Sequence, residues 1–150
     1  MKKAGLVLFK YGDLWVVPGQ GRTPGGYTIH TEPVTLVQHE DAPGLGRAIR
    51  LGLSHNVPVP EPAPGADRRS VMAKALNLKS ERVFHDGARA FYIHQTPEEL
   101  SVQEWRKAPR LAFASPALWK RTFGPDDMDE LVWFLVKHDA VAFLPSSGPA

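Results

Sequence analysis

The stretch from Glu32 to Leu53, EPVTLVQHEDAPGLGRAIRLGL, constrains the fold more than any other part of the chain. Val34, Leu36 and Val37 form an apolar, partly β-branched run suited to a half-buried strand. A polar break follows, and then a helical pattern begins. Asp41 carries a side chain that can cap a helix, and Pro43 lies near the first turn, where a missing N–H costs no helical bond. Leu45, Ile49 and Leu53 then recur every fourth residue, marking one apolar face. Asp127, Leu131 and Leu135 repeat the spacing of Asp41, Leu45 and Ile49 near the other end of the chain. Both are packing signals, and they favour a binding protein over an enzyme.

The rest of the chain reads as short strands broken by turns. Leu6 to Lys10 and Leu14 to Val17 are expected to be strands joined at Gly12. Pro18 to Gly26, PGQGRTPGG, reads as a mobile hairpin loop, too rich in glycine and proline for a central strand. Tyr27 to Thr31 and Val34 to Gln38 read as extended, with Pro33 marking an edge or bulge between them. Asn56 to Asp67, crowded with prolines, favours an extended connector. A helix is expected at Pro43 to Ser54, a second at Arg69 to Asn77, and a third from Gly124 to about His138. Glu81 to His85 and Ala88 to Gln95 read as a hairpin about Asp86 and Gly87. Leu100 to Trp105 and Arg110 to Ala114 complete the strands. The predicted fold is α+β, a largely antiparallel sheet with about three helices. It fills a single domain over residues 1–144, with residues 145–150 as a disordered tail.

At 150 residues the chain is long enough to bury a core as one domain, about 70% of the surface of its unfolded form. It has no cysteine, which removes thiol catalysis, disulfides and cysteine zinc sites together. The apolar run after Lys2 and Lys3 is too short for a signal peptide, and no stretch reaches the length of a membrane span. A cytoplasmic protein is therefore expected. The net charge of +2 comes from dispersed pairs such as Arg47 and Arg50 or Lys120 and Arg121. A nucleic-acid footprint concentrates such charges on one face, so nucleic acid is not the expected partner.

Catalytic patterns are equally sparse. Gly19 to Gly26 lacks the lysine and hydroxyl residue of a phosphate loop, and no clear helix follows it. The histidines show no helical metal spacing, so no metal and no cofactor is expected. A catalytic pair drawn from His30, His39 and His94 would give a small hydrolase, and an aromatic-bearing sheet would give a single-stranded nucleic-acid binder. Neither has a supporting motif. The most distinctive surface signal lies on the last helix. Leu131, Val132 and Leu135 share its inner face with Met128, so Trp133 falls off that stripe and is expected to be exposed. Asp126, Asp127 and Glu130 sit beside it. Acids at a helix start offset its dipole, and with an exposed tryptophan they also form a candidate docking patch for a basic partner.

The segment VTLVQHEDAPGLGRAIRLGLSHN resembles the immunity proteins of bacterial contact-dependent growth inhibition systems. The shared pattern is a strand, an acidic residue, a leucine–glycine pair and an apolar helix. Here these are Val34 to Val37, Asp41, Leu45 with Gly46, and Ala48 with Ile49. Looser parallels extend to Arg69 to Asn77 and to Asp127 to His138. Membership would imply a cytoplasmic protein without catalysis of its own. It would bind the C-terminal toxin domain of a surface-delivered effector, often a nuclease, and occlude its active or substrate-binding surface. Inhibitors of nucleases are frequently acidic, whereas this chain has a pI near 9.0. Local acidity at Asp126, Asp127 and Glu130 would then have to supply the complementarity. The oligomeric state is left open.

Overall fold

A computed structural model describes residues 3–26, 28–54, 57–58 and 70–142. Its strands are β1 (Ala4–Tyr11), β2 (Leu14–Arg22), β3 (Thr28–Gln38), β4 (Val57–Pro58), β5 (Ala88–Gln95), β6 (Leu100–Ala108) and β7 (Ala112–Phe123). The helices are α1 (Ala42–Ser54), α2 (Val71–Ala75), α3 (Glu81–Gly87) and α4 (Met128–Ala142). The strands form one sheet in the order β3-β2-β1-β5-β6-β7, antiparallel throughout, with β4 added in parallel beside the end of β2. The expected α+β architecture with a largely antiparallel sheet is the one observed.

Alternation along the strands splits the apolar residues between two cores, one on each face. On the first face Leu6, Leu8, Trp15, Phe91, Ile93 and Val102 pack against Leu45 and Ile49 of α1 and Leu131 and Leu135 of α4. Of the predicted inner stripes, Leu45, Ile49, Met128, Leu131, Val132 and Leu135 are buried and Leu53 is partly buried. Asp41 accepts from the Gly44 amide at 2.9 Å, which confirms it as the cap of α1. On the second face Phe9, Val16, Ala88 and Ala90 meet Met72 of α2 and Phe84 of α3. These two helices are short and cover only part of that face.

Four expectations are corrected. The glycine-rich stretch after Val17 is strand, not loop, as far as Arg22. A register shift between Val17 and Gly19 accommodates Pro18, and Gly19 lies so close to β3 that an added Cβ would sit 2.8 Å from the Thr31 hydroxyl. Beyond the ladder from Phe9 to Tyr11, β1 and β2 part, and the Gln20 amide donates to Gly5 O at 2.7 Å to fill the gap. Glu81 to His85 is helix, not strand. Ser80 caps it by accepting from the Val83 amide at 3.3 Å, and burial of Phe84 and His85 holds it against the sheet. Gly87 therefore ends a helix rather than turning a hairpin, and an added Cβ there would meet the Tyr11 ring at 2.6 Å.

The third correction concerns β7. It starts at Ala112, after Arg110 and Leu111 turn in the left-handed region, and runs through Pro116 to Phe123. As the outer strand of the sheet, β7 tolerates a residue without an N–H. The fourth is one of boundaries: α2 is shorter than expected, and α4 spans Met128–Ala142 instead of Gly124 to His138. Pro33 does lie on an outer strand, β3, as expected. Of the proline-rich connector, only Val57–Pro58 is among the described residues, and the predicted tail at 145–150 lies outside them, as does Arg69.

Candidate functional site

One row of the sheet orients both candidate surfaces. Ala4 pairs with Gln95, Gln95 with Leu100, and Leu100 with Phe123, so these four residues mark one end of the sheet. The chain turns from Phe123 into α4 at that end, on the first face. The predicted patch sits there. The Asp127 amide donates to Gly124 O, and Asp127 O accepts from the Leu131 amide at 3.1 Å, so Asp127 opens the helix. Asp126 and Glu130 are exposed. Trp133 is 53% exposed, off the buried stripe as the spacing predicts. The patch is not purely acidic: Asp129 pairs with Arg50 of α1 at 2.6 Å, and the Lys137 ammonium lies 4.7 Å from the Trp133 ring. Cation–π contact with lysine leaves the tryptophan partly covered by a charge of the wrong sign for a basic partner.

At the same end of the sheet the second face carries a different surface. Tyr92 and His94 of β5 and Trp105 of β6 form a parallel set of rings. Tyr92 lies 5.1 Å from Trp105 at 15° and 5.8 Å from His94 at 17°. Tyr92 reaches over Gly5, where an added Cβ would stand 2.6 Å from its hydroxyl. Partial burial raises the pKa of this phenol above its ordinary value, so it stays protonated at neutral pH. These rings line an open groove of about 370 Å³ together with Lys3 and Arg22.

A separate cleft of about 220 Å³ lies against α2 and α3, and Val7 and Trp105 line both the groove and this cleft. Phe9, Phe84 and Phe113 are in its wall, with His30 among them. His30 packs edge-on to Phe9 at 5.5 Å, and its buried Nδ1 has no hydrogen-bond partner. Burial holds its pKa at about 4, so the imidazole is neutral at physiological pH. Lys3 and Arg22 line the groove, whereas the cleft is walled mainly by apolar residues with Glu81 among them. Sequence reasoning missed both. Period-two alternation places Tyr92 and His94 on one face of β5, but Trp105 joins them only through the β5–β6 register, while the separate β6–β7 register shifts on either side of Trp105.

The histidine pairs weighed from sequence are not assembled. His39 Nδ1 accepts from the Lys10 ammonium at 2.8 Å, and its backbone oxygen accepts from the Trp15 indole at 3.2 Å. His94 belongs to the ring set and His30 to the cleft. Glu81 also lines that cleft, but its carboxylate accepts from the Ser70 amide at 3.0 Å, at the start of α2. His85 sits on α3 rather than on a hairpin with His94, and its Nε2 is 2.7 Å from Ala112 O. Among the described residues no cluster of three or more histidine, aspartate or glutamate side chains is arranged to hold a metal ion, and no helix is long and apolar enough to cross a membrane.

No family model and no curated protein matches the chain. Solved structures do. A protein of unknown function from Neisseria meningitidis superposes with a TM-score of 0.65 at 12% identity, over 91% of this chain and 92% of that one. A chain of the CdiA-CT/CdiI toxin and immunity complex from Yersinia pseudotuberculosis superposes with a TM-score of 0.63 at 15% identity, over 90% of this chain and 94% of that one. At these identities the likeness is one of fold. The chain shares its architecture, nearly end to end, with a component of a toxin–immunity complex.

Proposed function

We propose that the chain is an immunity protein of the contact-dependent growth inhibition type. It binds the C-terminal toxin domain of a cognate effector and neutralises it by covering the toxin's active or substrate-binding surface. The observation that carries this reading is the end-to-end likeness of fold to a chain of a toxin and immunity complex. The separated histidines support a role without catalysis. No cofactor or membrane contact enters the reading, and the site of action is the cytoplasm, where an incoming toxin meets its inhibitor.

Occlusion needs a surface that survives competition with the toxin's own substrate. An interface of ordinary size buries on the order of 1,600 Å² in total. We assign the start of α4 to its rim: Asp126, Asp127 and Glu130 steer a basic toxin surface, and Trp133 contributes apolar area. Co-expression with a toxin encoded immediately upstream tests this. The reading predicts that cells carrying both survive and that the two proteins co-purify. A toxin that still kills and never associates with this chain contradicts it.

A further inference from the structure

We propose that the open groove on the second face docks an acidic loop of the captured toxin, one with an apolar side chain between its carboxylates. The identity of the partner rests on the reading of the chain as a protein inhibitor; the chemistry of the loop rests on the groove alone. Lys3 and Arg22 line the groove and are exposed, and among the described residues neither makes an ion pair. Arg50 and Arg89, by contrast, are held by Asp129 and Glu104. Among the described residues lining the groove there is no carboxylate. An incoming carboxylate therefore meets two cations and no like charge, and the Arg22 guanidinium can take it as a two-pronged pair.

The sheet register extends this surface. Tyr92 pairs with Gln103 and Gln103 with Lys120, while His94 pairs with Ser101 and Ser101 with Thr122. Directly paired residues share a face, so amide, hydroxyl and ammonium groups carry the second face from the rings to the outer strand β7. Glu98 and Glu99 sit in the turn between β5 and β6 and do not line the groove. The floor is aromatic. Tyr92 and Trp105 are half-buried and stacked 5.1 Å apart, and Tyr92 lies against Gly5, where no side chain lifts it from the sheet. Carboxylates alone would leave those rings wet, whereas an apolar side chain between them covers residue types that dominate interface affinity.

Single-stranded nucleic acid fits less well, because it needs successive bare ring faces along a continuous track of cations. Here the rings stack on one another, and β5 and β6 separate Lys3 from Lys120. The groove shares its end of the sheet with the start of α4. A toxin that matches both surfaces presents a basic patch to one face and an acidic loop to the other.

The test is an NMR titration of isotope-labelled protein with a capped peptide of glutamates flanking a central leucine. The resonances of Tyr92, His94 and Trp105 are expected to move together, with affinity falling as salt is raised. Arg22→Glu, at an exposed position, should weaken binding on the order of tenfold, and Lys120→Glu about threefold. Replacing the leucine of the peptide by alanine should weaken it about fivefold, since an open groove buries only part of that side chain. Silence at these resonances, equal binding of a lysine-flanked peptide, or tighter binding of oligothymidylate overturns the proposal. Equal binding of the alanine peptide overturns its apolar component. The captured toxin separates this inference from the parent reading. A toxin bound as tightly by Arg22→Glu as by the natural chain removes the groove and leaves the inhibitor. Peptide binding in a chain that captures no toxin supports the chemistry of the groove and removes the inhibitor.

Discussion

The two faces of the sheet are finished to different degrees. On the first, α1 and α4 cover a core in which Trp15, Leu45, Phe91 and Leu131 are fully or almost fully buried. Glu104, buried at its edge, receives both Nε and Nη2 of Arg89 at 2.9 and 3.0 Å and the Trp119 indole at 2.9 Å. On the second face, the short helices α2 and α3 leave the groove beside Tyr92, His94 and Trp105 open, and its rings are half-buried. A surface that carries a protein's stability is completed by its own chain. A surface awaiting a partner is left incomplete, because its last contacts are made on binding. The first face is the frame, and the second is where recognition is most economically placed.

Substitutions that separate stability from affinity can break this contrast. The largest effect should come from the frame. Trp15→Ala should cost about 3–5 kcal/mol of unfolding free energy in urea titrations, through lost burial and the cavity left behind. Glu104→Ala should follow at about 3 kcal/mol, because it strands the Arg89 charge and the Trp119 N–H where water reaches them poorly. A loss below about 1 kcal/mol for either would mean that the first face is not the covered core described here.

His30 provides a test by pH. Its folded pKa of about 4 lies below the ordinary 6.5, so the folded state binds fewer protons than the unfolded one between those values. The stability associated with a neutral His30 is fully present above pH 6.5, falls as pH drops towards 4, and levels off below it. The full span is about 3 kcal/mol at most. Measuring unfolding free energy across that window in the natural chain and in His30→Phe should show the slope in the first and its reduction in the second. An identical slope in both would place the imidazole in water rather than in the cleft.

Smaller effects sharpen the comparison on the binding side. Trp133→Ala removes a half-exposed ring and should change stability by no more than about 0.5 kcal/mol. Its effect on toxin affinity should appear mainly in the dissociation rate, measured by surface plasmon resonance. Neutralising Asp126, Asp127 and Glu130 together should slow association and weaken its salt dependence, with little change in dissociation, as expected of rim charges. If both sets of variants only lower the melting temperature and leave toxin binding unchanged, α4 belongs wholly to the frame.

Much of the frame was legible in the sequence. The four-residue spacing of Leu45, Ile49 and Leu53 and the cap at Asp41 are local signals, and they describe α1 closely. The exposure of Trp133 followed from the same arithmetic on α4. Elements stabilised from a distance were not legible. Pro18 to Gly21 have loop composition, yet pairing with β3 and the Gln20 bridge to Gly5 hold them in β2. Glu81 to Gly87 form helix because Ser80 caps them and Phe84 packs on Phe9 and Tyr11, whereas the sequence offers only an ambiguous short run before a glycine. The groove was hidden for the same reason. It draws Lys3, Arg22, Tyr92 and Trp105 from separate segments of the chain, and only the register across the sheet brings them together.

The most direct test of the whole account is hydrogen–deuterium exchange of this chain with and without its captured toxin. The account predicts protection at one end of the sheet: residues 3–7, 20–22, 92–94 and 103–106 on the second face, and residues 124–133 at the start of α4. Protection confined to α1 or to the turn at Arg110 and Leu111, with that end of the sheet unchanged, would contradict it.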